Sequence, residues 1–283
     1  MTKSSELSSL RFLDFPLDVR ERIYEALLHS TASHPSDHEL SSLLASTQTG
    51  FFTTLLPPTT TTNLLLANRQ LHSELLSTIE RHSRARKIVY TLHLFASNGR
   101  IYPTWISLPS PPQYISRVHV YFQMDPNGEA WRQSFWADGG PGALTSGLLK
   151  ILSEFLVYGP ALRPYDSSNP KPIHPPIVLD ELIVEFVRQD PDSRFPSLEL
   201  PVMLRQGRKT REEAYVFDLV MILTRSVKSG QLWGRVKEVG LVVENVAKEW
   251  DVREESRENI LKTARRWAPY GWQSMESVMK GEL

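Results

Sequence analysis

The sequence predicts a mixed α+β / α/β chain in which an N-terminal helical module packs on a mostly parallel sheet with crossover helices. Two observations carry this expectation. Up to about residue 86 the apolar residues recur at helical spacing, as in Val19, Ile23 and Leu27 at i, i+4 and i+8. After Lys87 the spacing alternates, and one pattern returns four times: apolar, two residues, apolar, one, apolar, one, apolar. The chain therefore divides into a helical module at 1–86, interrupted by a Ser/Thr-rich insertion at 29–63, and an α/β domain at 87–283.

The first helix is expected within Leu13 to Leu28. Pro16 has its φ near the helical value and no amide to leave unpaired, so it suits the first turn. Asp14 is the expected cap, and Asp18 and Glu21 sit where the helix dipole favours negative charge. The Val19, Ile23, Leu27 stripe needs cover, because a helix this short is marginal alone and each buried side chain is worth roughly 1.5 to 3 kcal/mol. A second segment, Leu64 to Ile79, offers that cover through Leu65, Leu66, Leu71, Leu75 and Ile79, with Asn68, Arg69, His72 and Glu74 expected to point outward. The insertion ends in Pro57-Pro58 and four threonines, a composition that suits a surface segment. From Arg81 to Lys87 five of seven residues are basic, which fits a helix C-terminus; no aromatic residue interleaves as single-stranded nucleic acid would require.

The recurring pattern comprises Val89, Leu92, Leu94, Ala96; Ile115, Val118, Val120, Phe122; Leu179, Leu182, Val184, Phe186; and Val236, Val239, Leu241, Val243. Helical segments at Ala143 to Tyr158 and Arg211 to Ser229 separate the last three, so the order implies right-handed crossovers and parallel strands. The steps are unequal. A degenerate leucine-rich-repeat-like array and generic α/β packing both produce this spacing. A charged amphipathic helix is expected over Glu255 to Trp267. Proline-rich loops at Pro109 to Pro112, Pro160 to Pro176 and Asp190 to Pro201 are candidates for binding surface.

Composition excludes several classes of chemistry. Lys plus Arg equals Asp plus Glu at 32 each, so no global field draws in nucleic acid or an anionic membrane. Without cysteine there are no disulfides, thiolate nucleophiles or Cys-based zinc sites. The opening MTKSSELSSLRF lacks a signal-peptide core and no apolar run approaches a bilayer span, so an intracellular protein, cytoplasmic or nuclear, is expected. His72-Ser-Glu74 lacks the Pro-Cys-x-x-Cys of zinc deaminases, and His29, His34 and His38 lie where nothing would fix a metal geometry. Asp138-Gly-Gly-Pro-Gly142 reads as a helix cap and turn rather than a phosphate loop. No catalytic, cofactor or metal set converges, and an enzyme is not expected. Trp105, Trp131 and Trp136 bracket the loops around the second predicted strand; each is a candidate partner-binding anchor, with core packing as the alternative.

The letters Phe15, Pro16, Val19, Arg20, Ile23, Tyr24, Ala26 and Leu27 resemble the helix E-[IVL]-R-x-x-I-[YW]-x-x-[AL]-L, opened by an apolar residue and proline, of F-box-like modules in filamentous-fungal proteins. Leu65, Leu66, Asn68, Arg69, Gln70, Leu71 and Glu74 are similar to their second helix, L-L-x-x-[NC]-R-Q-[IL]-x-x-E. Pro103-Thr104-Trp105, Tyr121-Phe122 and Asp138 to Pro141 also resemble segments C-terminal to those helices in that group. The resemblance implies an adaptor protein: a substrate receptor of a cullin-type (SCF) ubiquitin ligase. In that case Phe15, Pro16, Val19, Ile23, Leu27, Leu66 and Leu71 would meet a Skp-type adaptor, and residues 87–283 would be an α/β recognition domain that selects a protein substrate of unknown identity. The alternative is one closed structural domain in which those apolar positions are core.

Overall fold

In the computed structural model the four segments with the recurrent spacing lie side by side as parallel strands. Residues 11–31, 60–97, 100–125, 142–161, 177–207, 210–228, 232 and 234–252, with 254, 258 and 262, are described. The elements are α1 (Leu17–Leu28), α2 (Thr60–Ala67), α3 (Arg69–Arg84), β1 (Val89–Ser97), β2 (Arg100–Ser107), β3 (Arg117–Met124), α4 (Ala143–Tyr158), β4 (Leu179–Val187), α5 (Leu200–Gln206), α6 (Arg211–Lys228), β5 (Val236–Val243) and β6 (Val246–Asp251). The sheet order is β2-β1-β3-β4-β5-β6. β2 and β6 are antiparallel to their neighbours, so the sheet is mostly parallel with antiparallel edges.

The apolar rows are continuous across the parallel strands. Val118, Leu182 and Val239 align, as do Val120, Val184 and Leu241, and Phe122, Phe186 and Val243. β1 is slipped by two residues relative to the sequence pattern: Tyr90, Leu92 and Leu94 complete the three rows. A slip of two preserves the face, whereas a slip of one would turn every side chain over. Phe122 stacks on Tyr215 of α6 at 4.8 Å, so the crossover helix closes the row from above.

The sheet is asymmetric. β3 alternates buried and half-buried residues, with Val118, Val120, Phe122 and Met124 in the core and Arg117, His119, Tyr121 and Gln123 on the opposite face. On that polar face Arg117 pairs with Glu181, and His119 Nε2 lies 2.9 Å from Glu185 Oε2. α4 is buried on almost every side, Thr145, Ser153 and Glu154 included. Its first turn is held by Asp218 of α6, which accepts from Gly142 N at 3.2 Å and Thr145 Oγ1 at 2.6 Å. Asp138, expected to cap this helix, lies outside the described residues, as do Trp131, Trp136, His34, His38, most of the insertion and most of 255–267.

Several elements differ from expectation. Pro103 lies inside β2, which is tolerated because β2 is an edge strand. β6 carries Lys248, Glu249 and Asp251, charges that suit an edge but hide a strand in the sequence. α2 begins within the threonine run assigned to the insertion, and α5 lies across the end of the proline-rich loop after β4.

Trp105 is core, not a loop anchor: it is 1% exposed, packs on Phe155 at 5.3 Å and Tyr90 at 5.8 Å, and donates from Nε1 to Pro160 O at 2.8 Å. Trp105→Ala is therefore expected to cost about 3 to 5 kcal/mol in urea unfolding. Trp105→Phe is expected to cost less, mainly the lost hydrogen bond of about 1 kcal/mol and the smaller ring. An unchanged midpoint for Trp105→Ala would restore the anchor role.

Candidate functional site

α1 starts later than its sequence suggests. Pro16 is the cap residue itself, its carbonyl accepting from Val19 N and Arg20 N, both at 3.1 Å. Asp14 closes a preceding 3-10 turn by accepting from Arg11 N at 2.9 Å, and does not cap α1.

The buried positions of α1 are Arg20, Tyr24 and Leu28, again at i, i+4 and i+8 but rotated from the expected stripe. Val19 and Leu27 are half-buried, and Ile23 is 36% exposed. The reason is a carboxylate 54 residues away from Arg20. Glu74 of α3, expected to point outward, points at α1 and accepts four hydrogen bonds: from Arg20 Nε (2.9 Å), Arg20 Nη2 (2.7 Å), Tyr24 Oη (2.9 Å) and Gln70 Nε2 (2.9 Å). The remaining Arg20 nitrogen, Nη1, donates to the carbonyls of Leu13 (3.2 Å) and Phe15. One guanidinium thus ties α3 to α1 and to the turn that precedes it. A planar two-pronged donor suits that geometry, where lysine would offer a point charge.

The Arg20 guanidinium holds the Glu74 carboxyl down at about 2, well below its usual value. Burial, then the bond to Glu74, pushes the Tyr24 hydroxyl up to about 12. Both groups keep one protonation state through the physiological range.

α3 is separated from α2 at Asn68, whose side chain accepts from Gln70 N at 2.7 Å. His72 Nδ1 lies 2.8 Å from Leu65 O and fixes the corner. Leu75 and Ile79 enter the core, Leu65 and Leu71 are half-buried, and Leu66 is 81% exposed. The expected apolar face of Leu64 to Ile79 is thus split between two helices. The basic run after Ile79 is engaged locally: Arg81 reaches Glu21 and Glu25 at 3.3 Å, and Arg86 reaches Asp180 at 3.3 Å. It stitches α3 to α1 and to β4. His82 Nε2, 3.3 Å from Glu25, lowers the Glu25 pKa.

The module shares its core with the sheet: Tyr24, Leu28, Leu75 and Ile79 belong to one cluster with the rows of β1 to β5. Ser107 Oγ also donates to Ser30 O at 3.2 Å, beyond the end of α1. Seven large hydrophobic residues are exposed among those described, and four, Phe15, Leu17, Ile23 and Leu66, lie in α1, α2 and the turn before α1. Exposed apolar surface therefore concentrates on this module. Phe15 and Pro16 are exposed, and Val19, Leu27 and Leu71 are half-buried. Among the described residues no group of three His, Asp or Glu side chains is arranged to hold a metal ion, and no helix is long and apolar enough to cross a membrane.

Sequence reasoning misses Arg20, Tyr24 and Glu74 as a unit, although each is a letter of the two motifs. The available signal is an Arg and a Tyr spaced i and i+4 on one helix, but their partner is remote in sequence. No family model, no curated protein and no solved structure matches the chain.

Glu74 is ionised when folded far below its unfolded value, so its stabilisation is complete above about pH 4.5 and is lost as pH falls toward 2. Glu74→Ala, which leaves a guanidinium and a phenol without their acceptor, is expected to cost about 3 kcal/mol at neutral pH and to flatten the acid limb of a stability profile. An acid limb identical to wild type would contradict the pairing.

Proposed function

We propose that this chain is a protein-interaction adaptor in which the helical module docks a Skp-type adaptor and the α/β part selects a protein substrate, as the resemblance to F-box-like modules implies. The role is that of a substrate receptor of a cullin-type ubiquitin ligase. One observation carries this proposal: Phe15, Leu17, Ile23 and Leu66 stay exposed on α1, α2 and the turn before α1 while α1 is fixed by hydrogen bonds to Glu74. The helices are thus packed while these apolar side chains stay exposed. Exposed apolar residues scattered singly need no explanation, but four on one small module favour a partner. Val19, Leu27 and Leu71 are half-buried and Pro16 is exposed on the same module. Four parallel strands in sequential order, with α4 and α6 as crossovers, support a degenerate leucine-rich-repeat-like layout for the receptor part.

A second assignment, a closed structural domain with no ligase connection, is favoured by the shared core of Tyr24, Leu28, Leu75 and Ile79 with the sheet. The two differ in what exposed positions do. Ile23→Asp and Leu66→Asp lie at exposed sites and are expected to change stability by only about 0.5 kcal/mol. In a titration of purified protein with a fungal Skp-type adaptor, each is expected to weaken binding at least about tenfold, since each removes an apolar contact and buries a charge. Absence of binding by the wild type would favour the closed domain.

A further inference from the structure

The loop after β4 and the short helix α5 enclose a cleft of 220 Å3. It lies at the carboxyl end of the parallel strands, where open α/β sheets hold their ligands. Phe195, Met203 and Phe217 give it apolar walls, each less than one-tenth exposed. Glu213 also lines it, but its carboxylate is engaged by the loop itself: Oε1 accepts from Arg194 N at 2.9 Å and Oε2 from Thr210 N at 3.3 Å. The negative charge in the wall is thus directed at backbone amides that fix the loop.

A cation stands at the rim. Arg194 and Gln206 line the cleft and are exposed. Arg194 has no ion-pair partner among the described residues. Of the acids near this loop, Glu199 is drawn off by Lys248 at 2.8 Å and Asp190 accepts from Asp192 N at 2.9 Å. Beside the cleft, Val202 and Leu204 of α5 are 36% and 65% exposed.

Size selects between occupants. Small-molecule sites usually enclose about 300 to 1,000 Å3, so this cleft is below that range and suits one large side chain. Apolar pockets that accept a single anchor, ringed by polar groups, are the energetic centres of protein interfaces. We propose that the cleft is a peptide-docking site, taking one aromatic or large aliphatic side chain from an extended segment of a partner protein in which a carboxylate beside that anchor meets Arg194. The site is independent of the adaptor proposal. The helical module joins the sheet at the amino end of β1 through Ile88, whereas the cleft lies at the carboxyl end of β4, so either can fail without the other.

The test is selection of a random dodecapeptide display library on the full chain, followed by anisotropy titration of the enriched peptides, synthesised singly. The variants are Arg194→Glu, which reverses the rim charge, and Gln206→Trp, which places an indole over the mouth. Both positions are exposed, so both variants are expected to keep the wild-type unfolding midpoint; should one fold poorly, the other carries the comparison. The expected result is enrichment of peptides with one aromatic, Leu or Met residue flanked by Asp and Glu, bound at least about tenfold more weakly by both variants and by the peptide with its anchor changed to Ala. Enrichment of basic peptides, no enrichment, or enriched peptides that bind both variants like wild type would overturn the proposal.

Discussion

The pair of Arg20 and Glu74 sets the rotation of α1, and much of the helical module depends on it. A helix turns about 100° per residue, so directing Arg20 and Tyr24 at one carboxylate necessarily swings Val19, Ile23 and Leu27 toward the side of the contact. Hydrophobic burial alone would have favoured the opposite rotation, with three aliphatic side chains against α3. The polar solution prevails because both charges are satisfied. Glu74 accepts four hydrogen bonds, and Arg20 donates two to Glu74 and one each to Leu13 O and Phe15 O. Partly satisfied, such a network would be worse than an apolar contact; fully satisfied, it specifies one arrangement.

That arrangement separates two tasks that usually compete. The rotation of α1 on α3 is fixed by a polar network beside the buried Tyr24, Leu28, Leu75 and Ile79, and the exposed residues of the module include Phe15, Leu17, Ile23 and Leu66. The sheet shows a comparable division: the face toward α4 and α6 is aliphatic and aromatic, and the other carries Arg117, His119, Glu181 and Glu185 in short-range pairs. Interaction surface can then be offered at the helical module and at the carboxyl end of β4 without exposing the core that joins them.

Much of the α/β part is legible in the sequence because its strands obey a simple rule. Strands buried on one face must place an apolar residue at every second position, and that spacing locates β1, β3, β4 and β5, while helical periodicity locates α4 and α6 almost to the residue. The edges are not legible: β2 contains Pro103 and β6 alternates half-buried with exposed residues, so neither has a strong periodic signal. In the helical module the apolar stripe comes out misphased, since nothing local announces that Glu74 will supply a buried partner for Arg20. Trp105 reads as a loop residue for a related reason, its strand being hidden by the proline two positions before it. The motif letters include the right residues, but as markers of likeness rather than of contact.

Hydrogen exchange of the full chain, with and without a saturating Skp-type adaptor, tests the central claim most directly. If α1 is fixed from one side and offers its apolar edge on the other, the adaptor will slow exchange in residues 15–28 and 64–71 and leave the strands β3 to β5 unchanged. Unchanged exchange in both helical segments, with adaptor present in excess, would contradict the claim that this edge is a docking surface.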